Sequence, residues 1–559
     1  MTRVSASTIA GAVGLVLAAA LFASTLNRSL GSFSGDEARF VLLSRALAQG
    51  LGYIELQTPG HPPHTEYLPA LPMLLLPITR WQDDNFLAMK IPILLCALLA
   101  VALVYFLFKT ESQRLAWALA ILLATMPLFL DYLGTILADV PYLAASLAAL
   151  LWIDRACQRQ DWRGRTWLLA GLLVALSFFF RPVGLALAAG TVAALVLAPA
   201  GPGRMARIKT SAVFLLAFGL PLGGWVLRNY LASGYWDREH FSKLMVSQQS
   251  NPFAGKLDTA GMLGRVERRI RFYARVAPEE IFPLEPSTLV GRDQQWGPPA
   301  FRSVLNPGIL FFLGLGFLQI LVRQRAIFAW YVGSYLVILF LWRFHASRFL
   351  IPIAPFLYYF GYRGVKLIYS LLPCFRSRQG FFQVGGWTLL VIFLLAGLFE
   401  ILPKLSLVSR PLDYIFTTPS EPKVQAIQLV PSFRCYDYVE IPDSFQEEKR
   451  KSIASCVRYL RFLATAEWAH RHLSADAIVV CRKPTLWALL SRTYSIQFPA
   501  ELDPEAMLHA LSDSGAGYVL ADETSPLEQK FMTLMQERYP PHFQEVVAFG
   551  QTRLLRLVR

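Results

Sequence analysis

Ile91-Pro92-Ile93-Leu94-Leu95-Cys96-Ala97-Leu98-Leu99-Ala100-Val101-Ala102-Leu103-Val104-Tyr105-Phe106-Leu107-Phe108 is an uninterrupted apolar run that ends at Lys109. A helix needs roughly 17–25 mostly apolar residues to cross a bilayer, and a span at about 87–108 has that length. Ten further segments repeat the pattern, at about 8–26, 115–131, 136–153, 166–180, 182–198, 211–231, 306–322, 326–342, 349–369 and 385–402. The first reads as an uncleaved helix, because no small-residue cleavage site precedes Gly35-Asp36-Glu37. Hydrophobic residues make up 55% of the 559-residue chain and charged residues 16%, with a mean hydropathy of +0.42. Soluble globular, disordered and fibrous classes are thereby excluded, and six cysteines exclude a disulfide scaffold.

The net charge of +15 first suggests nucleic acid. Its distribution says otherwise. With the N-terminus inside, sixteen basic residues fall on the inner ends and loops, and three (Arg181, Arg343 and Arg348) on the short outer ones. That asymmetry is the positive-inside signature of a multi-pass membrane protein. The stretch 403–559 holds equal numbers of acidic and basic residues and contributes nothing to the excess. No nucleic-acid partner is implied.

The expectation is a polytopic α-helical membrane protein of about eleven spans over 1–402, followed by a soluble domain over 403–559. An odd span count places that domain, and the loops at about 27–86 and 232–305, on the outer, periplasmic or extracellular side. The second loop carries Arg265, Arg268, Arg269, Arg271 and Arg275 on an expected surface helix. In the tail, helical patterns at Ala466–Leu473 and Leu486–Leu490 alternate with strand runs at Ala477–Cys481 and Gly517–Ala521, and a hairpin closes it at Glu545–Val558. That order predicts an α/β domain with a mostly parallel sheet. Its glycines form no phosphate loop.

Ionisable residues at a membrane surface are functional suspects. Gly35-Asp36-Glu37-Ala38-Arg39-Phe40 places two carboxylates and an arginine just outside the first span. Asp36 is either a base or the cap of an interfacial helix reaching about Gln49. Asp139, before Val140-Pro141, stands at the outer end of the fourth span with the same two readings. His61-Pro62-Pro63-His64-Thr65-Glu66-Tyr67-Leu68-Pro69 is held extended by its prolines. Its histidines and glutamate suit a metal, a phosphate or a plain solvated loop, and the spacing matches no structural zinc site. Arg181, Arg228, Arg343 and Arg348 sit at outer span ends, where guanidinium groups either snorkel or bind phosphate. Acids that accept a proton, beside cations that stabilise a departing phosphate, suit sugar transfer from a lipid-phosphate donor.

These motifs resemble the bacterial GT-C membrane glycosyltransferases of glycosyltransferase family 39, which includes protein O-mannosyltransferases and lipid A aminoarabinose transferases. Asp36-Glu37-Ala38-Arg39-Phe40 is similar to the family's Asp-Glu-x-Arg-aromatic motif. His64-Thr65-Glu66-Tyr67-Leu68-Pro69 resembles its His-Thr-Lys-Tyr-Pro-Pro form, with Glu66 in place of lysine and Leu68 in place of proline. Asp139, the Arg348-Phe349-Leu350-Ile351-Pro352 segment and the tail's Ala477–Pro484 have counterparts too. Eleven spans are fewer than the aminoarabinose transferases imply, so that activity is not carried over.

The resemblance implies a polyprenyl-phosphate sugar donor, a lipid, glycan or protein acceptor, and inversion by one displacement. It implies Asp36 as base, with Glu37 and Asp139 orienting the acceptor or tuning the base. Arg39 would hold the acidic pair, Arg181, Arg228 and Arg348 the phosphate, and His61, His64 and Tyr67 would line the substrate site. No cofactor is required by this scheme, and a divalent metal is left open. The competing class is a transporter or flippase of lipid-linked glycans, which should carry charges near mid-membrane and repeat symmetry. Cys435 and Cys456, 21 residues apart in the outer tail, are candidates for a disulfide that the sequence leaves open.

Overall fold

The computed structural model describes residues 6–26, 30, 35–197, 203–234, 257–282, 299–322, 326–371, 446–499, 503–523 and 526–558. In chain order the helices are α1 (Ala6–Ser24), α2 (Asp36–Ala48), α3 (Ala70–Trp81), α4 (Phe86–Phe108), α5 (Gln113–Ala124), α6 (Pro127–Leu133), α7 (Asp139–Gln158), α8 (Gly164–Phe180), α9 (Gly184–Leu197) and α10 (Arg204–Ser233). They continue with α11 (Thr259–Val276), α12 (Pro299–Leu321), α13 (Ala326–Leu341) and α14 (Ala354–Leu371).

Helices occupy ten of the eleven expected segments, and the eleventh, 385–402, lies outside the described residues. Among the described residues four helices are long and apolar enough to cross a membrane alone: α4, α7, α10 and the Val304–Leu321 part of α12. Two expected spans are not single straight helices. The one at 115–131 bends by 54° between α5 and α6, where Pro127 lacks the N–H to continue the ladder. The one at 349–369 opens with a 3-10 turn, Ser347–Ile353, containing Pro352. Helices pack closely where glycine permits: a Cβ on Gly316 of α12 would strike the carbonyl of Phe360, and one on Gly364 of α14 that of Phe312.

The C-terminal region holds α15 (Gln446–His472), β1 (Ile478–Cys481), α16 (Pro484–Ser491), β2 (Tyr494–Gln497), α17 (Pro504–Asp513), β3 (Tyr518–Ala521), α18 (Pro526–Arg538), β4 (Phe543–Phe549) and β5 (Thr552–Leu557). The sheet order is β2-β1-β3-β5-β4. Pairings of β1 with β2 and β3 are parallel, and those of β5 with β3 and β4 antiparallel, so the sheet is mixed and not mostly parallel. The tight turn at Gly550, with φ of 59°, returns the chain directly and forces the antiparallel edge. Sequence patterning passes over β2, a four-residue strand with polar Ser495 and Gln497.

The sheet has two covers. Val480, Val519 and Leu555 pack with Met507, Leu511, Met532 and Met535 on one side. Val479, Cys481, Leu520 and Leu554 join Phe462, Leu486 and Trp487 in the same buried core as the membrane helices. The tail is therefore seated on the helical bundle and not tethered beside it.

Candidate active site

Helix α2 begins abruptly because Gly35 adopts φ 86°, a left-handed conformation that glycine takes at little cost. Gly35, not Asp36, is the N-cap residue, and no side chain caps this end. The Asp36 carboxylate points elsewhere. It accepts a hydrogen bond from Tyr67 Oη at 2.7 Å and one from the Arg348 guanidinium at 3.2 Å. The capping reading of Asp36 is thus replaced by a side-chain network that joins the first loop to the late 3-10 turn.

A second pair lies beside the first. Asp139 is the first residue of α7 and, again, no side chain caps the helix. Its carboxylate pairs with Arg181, which follows α8 directly. Phe349 serves both pairs: the Arg181 guanidinium lies 4.9 Å and that of Arg348 5.4 Å from its ring centre. Two acids and two arginines from four segments gather around one aromatic ring. The two acids differ in access, since the Asp36 side chain is 26% exposed and that of Asp139 5%.

Glu37 behaves differently. It is completely buried and accepts the backbone N–H of Ile136, in the turn that leads into Asp139. It also interacts electrostatically with Lys90, which is equally buried in α4. Glu37 is shut off from solvent and locks α2 to the start of α7. That lock holds Asp36 and Asp139 together. Lys90 is not among the charges the sequence motifs single out, although a charge near the start of an apolar run is itself a signal.

The first loop explains the remaining suspects. His64 Nδ1 meets Glu55 Oε1 at 2.9 Å, while its Nε2 accepts the Tyr67 N–H at 2.7 Å. Both ring nitrogens are used within the first loop, where His64 ties Glu55 to the Tyr67 backbone. Burial holds its pKa below the ordinary histidine value, with Arg39 acting in the same sense. Burial pushes Glu55 up, but the His64 interaction, with the Arg39 charge and the Thr58 hydrogen bond in the same sense, holds its pKa down. Tyr67 is pushed well above the ordinary phenol value, first by burial and then by the Asp36 charge. It therefore stays protonated and donates to Asp36.

Arg39 pairs with Glu66 at 2.9 Å and lies 5.0 Å from the Tyr67 ring centre. Glu66, the residue that stands where the family motif has lysine, is thus the direct partner of Arg39, and the Asp36 charge acts on the same guanidinium. Arg228 is engaged by the first loop. It donates to the carbonyls of His64 and Tyr53 and stacks on Trp225, clamping the first loop to α10. His61, with φ 48°, faces Tyr494 of the tail, 5.6 Å between ring centres, and not the two acid–arginine pairs. In the second loop, Arg265 is buried in α11 and Arg269 donates to the carbonyls of Trp342 and Arg343, just before the Arg348 segment. The helix expected at the surface is thus half embedded. Cys435, one half of the candidate Cys435–Cys456 pair, lies outside the described residues, and Cys481 is buried on β1.

Residues 60–225 match the family model of the dolichyl-phosphate-mannose-protein mannosyltransferases. No curated protein sequence matches the chain. Among solved structures, ArnT from Cupriavidus metallidurans bound to undecaprenyl phosphate is similar at 12% identity and a TM-score of 0.57, covering 99% of this chain and 98% of its own. The oligosaccharyltransferase AglB from Archaeoglobus fulgidus, in complex with an inhibitory peptide and a dolichol-phosphate, is similar at 12% identity and a TM-score of 0.51, covering 95% and 72%. The Archaeoglobus fulgidus enzyme in complex with Zn and sulfate is similar at 12% identity and a TM-score of 0.52, covering 90% and 67%. The chain has the multi-pass fold of the GT-C membrane glycosyltransferases, and its residues 60–225 carry the sequence pattern of the dolichyl-phosphate-mannose-protein mannosyltransferase family.

Proposed function

We propose that the protein transfers a sugar from a polyprenyl-phosphate-linked donor to an envelope acceptor, with Asp36 as general base and inversion at the sugar carbon. The observation that carries this reading is the pairing of Asp36 with Arg348 and of Asp139 with Arg181 around Phe349. Asp36 is the more open acid and accepts the proton of an acceptor hydroxyl. The freed oxygen bonds to the sugar carbon as the bond from that carbon to the phosphate oxygen breaks. The departing phosphate takes the negative charge, and Arg348 and Arg181 are the cations beside it.

Tyr67 orients Asp36 through its 2.7 Å hydrogen bond. Among the described residues no three His, Cys, Asp or Glu side chains are grouped to hold a divalent metal, and both acids of the site are taken by arginines. No step is assigned to a metal.

The same reading sets the topology: N-terminus in the cytoplasm, residues 1–402 as the catalytic membrane unit, and 403–559 as a domain on the outer face of a bacterial inner membrane. The placement of all four charged side chains at helix starts and ends favours an enzyme over a transporter, whose ionisable groups would line the middle of the spans.

Purified protein given a radiolabelled polyprenyl-phosphate sugar and membrane-extracted acceptors tests the reaction. Asp36→Asn should express normally and lose transfer by about 10²–10⁴-fold. Near-wild-type turnover in that variant would remove Asp36 as the base.

A further inference from the structure

The C-terminal domain touches the first end of the site helix directly and reaches its last turn through an acidic pair that both bind. At the first end, Thr485 is buried and its hydroxyl donates to the Gly35 carbonyl at 3.2 Å. That carbonyl also accepts the Arg39 N–H at 3.0 Å, the first backbone bond of α2. Thr485 therefore holds the peptide plane on which Asp36 begins. A Cβ on Gly35 would lie 3.2 Å from the Thr485 hydroxyl oxygen, so the fit is close on both sides.

At the other end, Arg45 in the last turn of α2 is 3% exposed and donates to the Asp83 carbonyl at 3.0 Å, with the Asp83 carboxylate 3.6 Å away. Arg492, immediately after α16, binds the same Asp83-Asp84 pair from the tail side. Between the two ends, the Ser495 N–H of β2 donates to the Gln57 carbonyl of the first loop at 2.7 Å. Helix α2 is 13 residues long, close to 20 Å at about 1.5 Å per residue. One short segment of the tail, from Thr485 to Ser495, spans it.

Burial argues that this contact is built in. Leu486, Trp487 and Leu489 of α16 are buried in the core shared with α2. Trp487 packs edge-on against Phe462 of α15, 5.9 Å between ring centres, which fixes α16 to the rest of the tail.

We infer that the C-terminal domain is part of the catalytic apparatus, with Thr485 as a positioning residue that sets Asp36 through the Gly35 carbonyl and Arg492 as a second latch on the same helix. The inference rests on the assignment of Asp36 as the base. The tail supplies no group to the chemistry. It fixes the geometry from which Asp36 meets the acceptor hydroxyl. A misplacement of about 1 Å can cost around 10²-fold in rate, and loss of one of several restraints should cost less.

The test uses the full-length protein in detergent or nanodiscs, with the radiolabelled donor as probe and Asp36→Asn, Thr485→Val, Thr485→Ser and Arg492→Gln side by side. Valine keeps the shape of threonine and removes the donor. Thr485→Val should lower kcat by roughly 10-fold while the KM for the donor and the unfolding midpoint hold. Thr485→Ser, which restores the hydroxyl, should recover most of the loss. A filler of space would show the opposite pattern, with serine worse than valine. Wild-type kcat in a folded Thr485→Val, with Asp36→Asn inactive, overturns the positioning role and leaves the base standing. An active Asp36→Asn overturns both. Should Thr485→Val not purify as a folded protein, Arg492→Gln, at a side chain 38% exposed, decides by the same criterion: a kcat loss of roughly threefold at constant KM supports the latch, and wild-type kcat refutes it.

Discussion

Asp139→Asn should make the protein less stable and its lipid-phosphate binding tighter at the same time. The Asp139 and Arg181 side chains are 5% and 19% exposed, and the guanidinium lies over Phe349. Removing one partner of a buried pair leaves the other charge uncompensated, which typically costs about 3–5 kcal/mol. Here the exposure of Arg181 and the neighbouring Asp36 charge bring the expected cost to the bottom of that range or just below it, about 2–3 kcal/mol. The same substitution removes the anion that competes with an incoming phosphate for Arg181. A hydrogen bond to a charged group contributes roughly 1.5–3 kcal/mol, and every 1.4 kcal/mol is about tenfold in affinity. Polyprenyl phosphate without sugar should therefore bind at least about 10-fold more tightly to the variant. Two measurements on one preparation decide it: the unfolding midpoint without ligand, and its rise on titration with polyprenyl phosphate, which reports affinity by mass action. The midpoint should fall and the ligand-induced rise should grow. If both fall, Arg181 does not receive the phosphate, and the pair is a structural bridge between α7 and α8.

Two further outcomes concern the first loop. His64 is buried with its pKa held below the ordinary value, so the unfolded chain binds its proton more readily than the folded one. Its contribution is complete above about pH 6.5 and is lost as pH falls through the depressed folded value; amide protection factors over residues 53–67, which remove the intrinsic slowing of exchange in acid, should fall on acidification, and His64→Gln should flatten that dependence. Arg39 and Glu66 are 24% and 26% exposed, so neutralising either should cost no more than about 1 kcal/mol. The reversed double variant, Arg39→Glu with Glu66→Arg, should recover part of that loss in a double-mutant cycle; a cycle with no coupling energy would make the pair incidental.

The membrane helices were legible because each is a local fact. Apolar runs such as 91–108 and 326–341 announce themselves within one window, and α2 follows from two acids after a glycine. The residues of the acid–arginine cluster were legible too, since charge at a span end is rare enough to notice. Their partners were not. Asp36 and Arg348 are separated by more than three hundred positions, and nothing in either stretch says that Arg348 reaches Asp36 while Arg228 turns to loop carbonyls. Both arginines look alike in sequence, and only tertiary packing tells a site cation from a clamp. The Thr485 contact with Gly35 spans 450 positions and involves an unremarkable residue type, so no pattern points to it.

The arrangement of the site also explains why its charges can coexist at the edge of a membrane. An isolated carboxylate or guanidinium in low dielectric carries a desolvation cost that only close pairing offsets. Asp36 with Arg348 and Asp139 with Arg181 form a neutral quartet, and Phe349 shields a face of each cation without competing for its hydrogen bonds. An incoming lipid phosphate brings a negative charge to a neutral cluster, so its binding must loosen at least one carboxylate from its arginine. Asp36 is the more exposed acid, and its Arg348 contact, at 3.2 Å, is longer than its Tyr67 hydrogen bond at 2.7 Å. The pair with Arg348 is thus the one that opens with least loss, and its opening leaves Asp36 held by Tyr67 and facing the acceptor. On this reading donor binding itself prepares the base, and acceptor deprotonation should depend on prior occupation of the phosphate site. Ordered kinetics, with the lipid-phosphate donor binding first, is the expected outcome of initial-rate measurements in which both substrates are varied, and productive binding of the acceptor to the donor-free protein would contradict it.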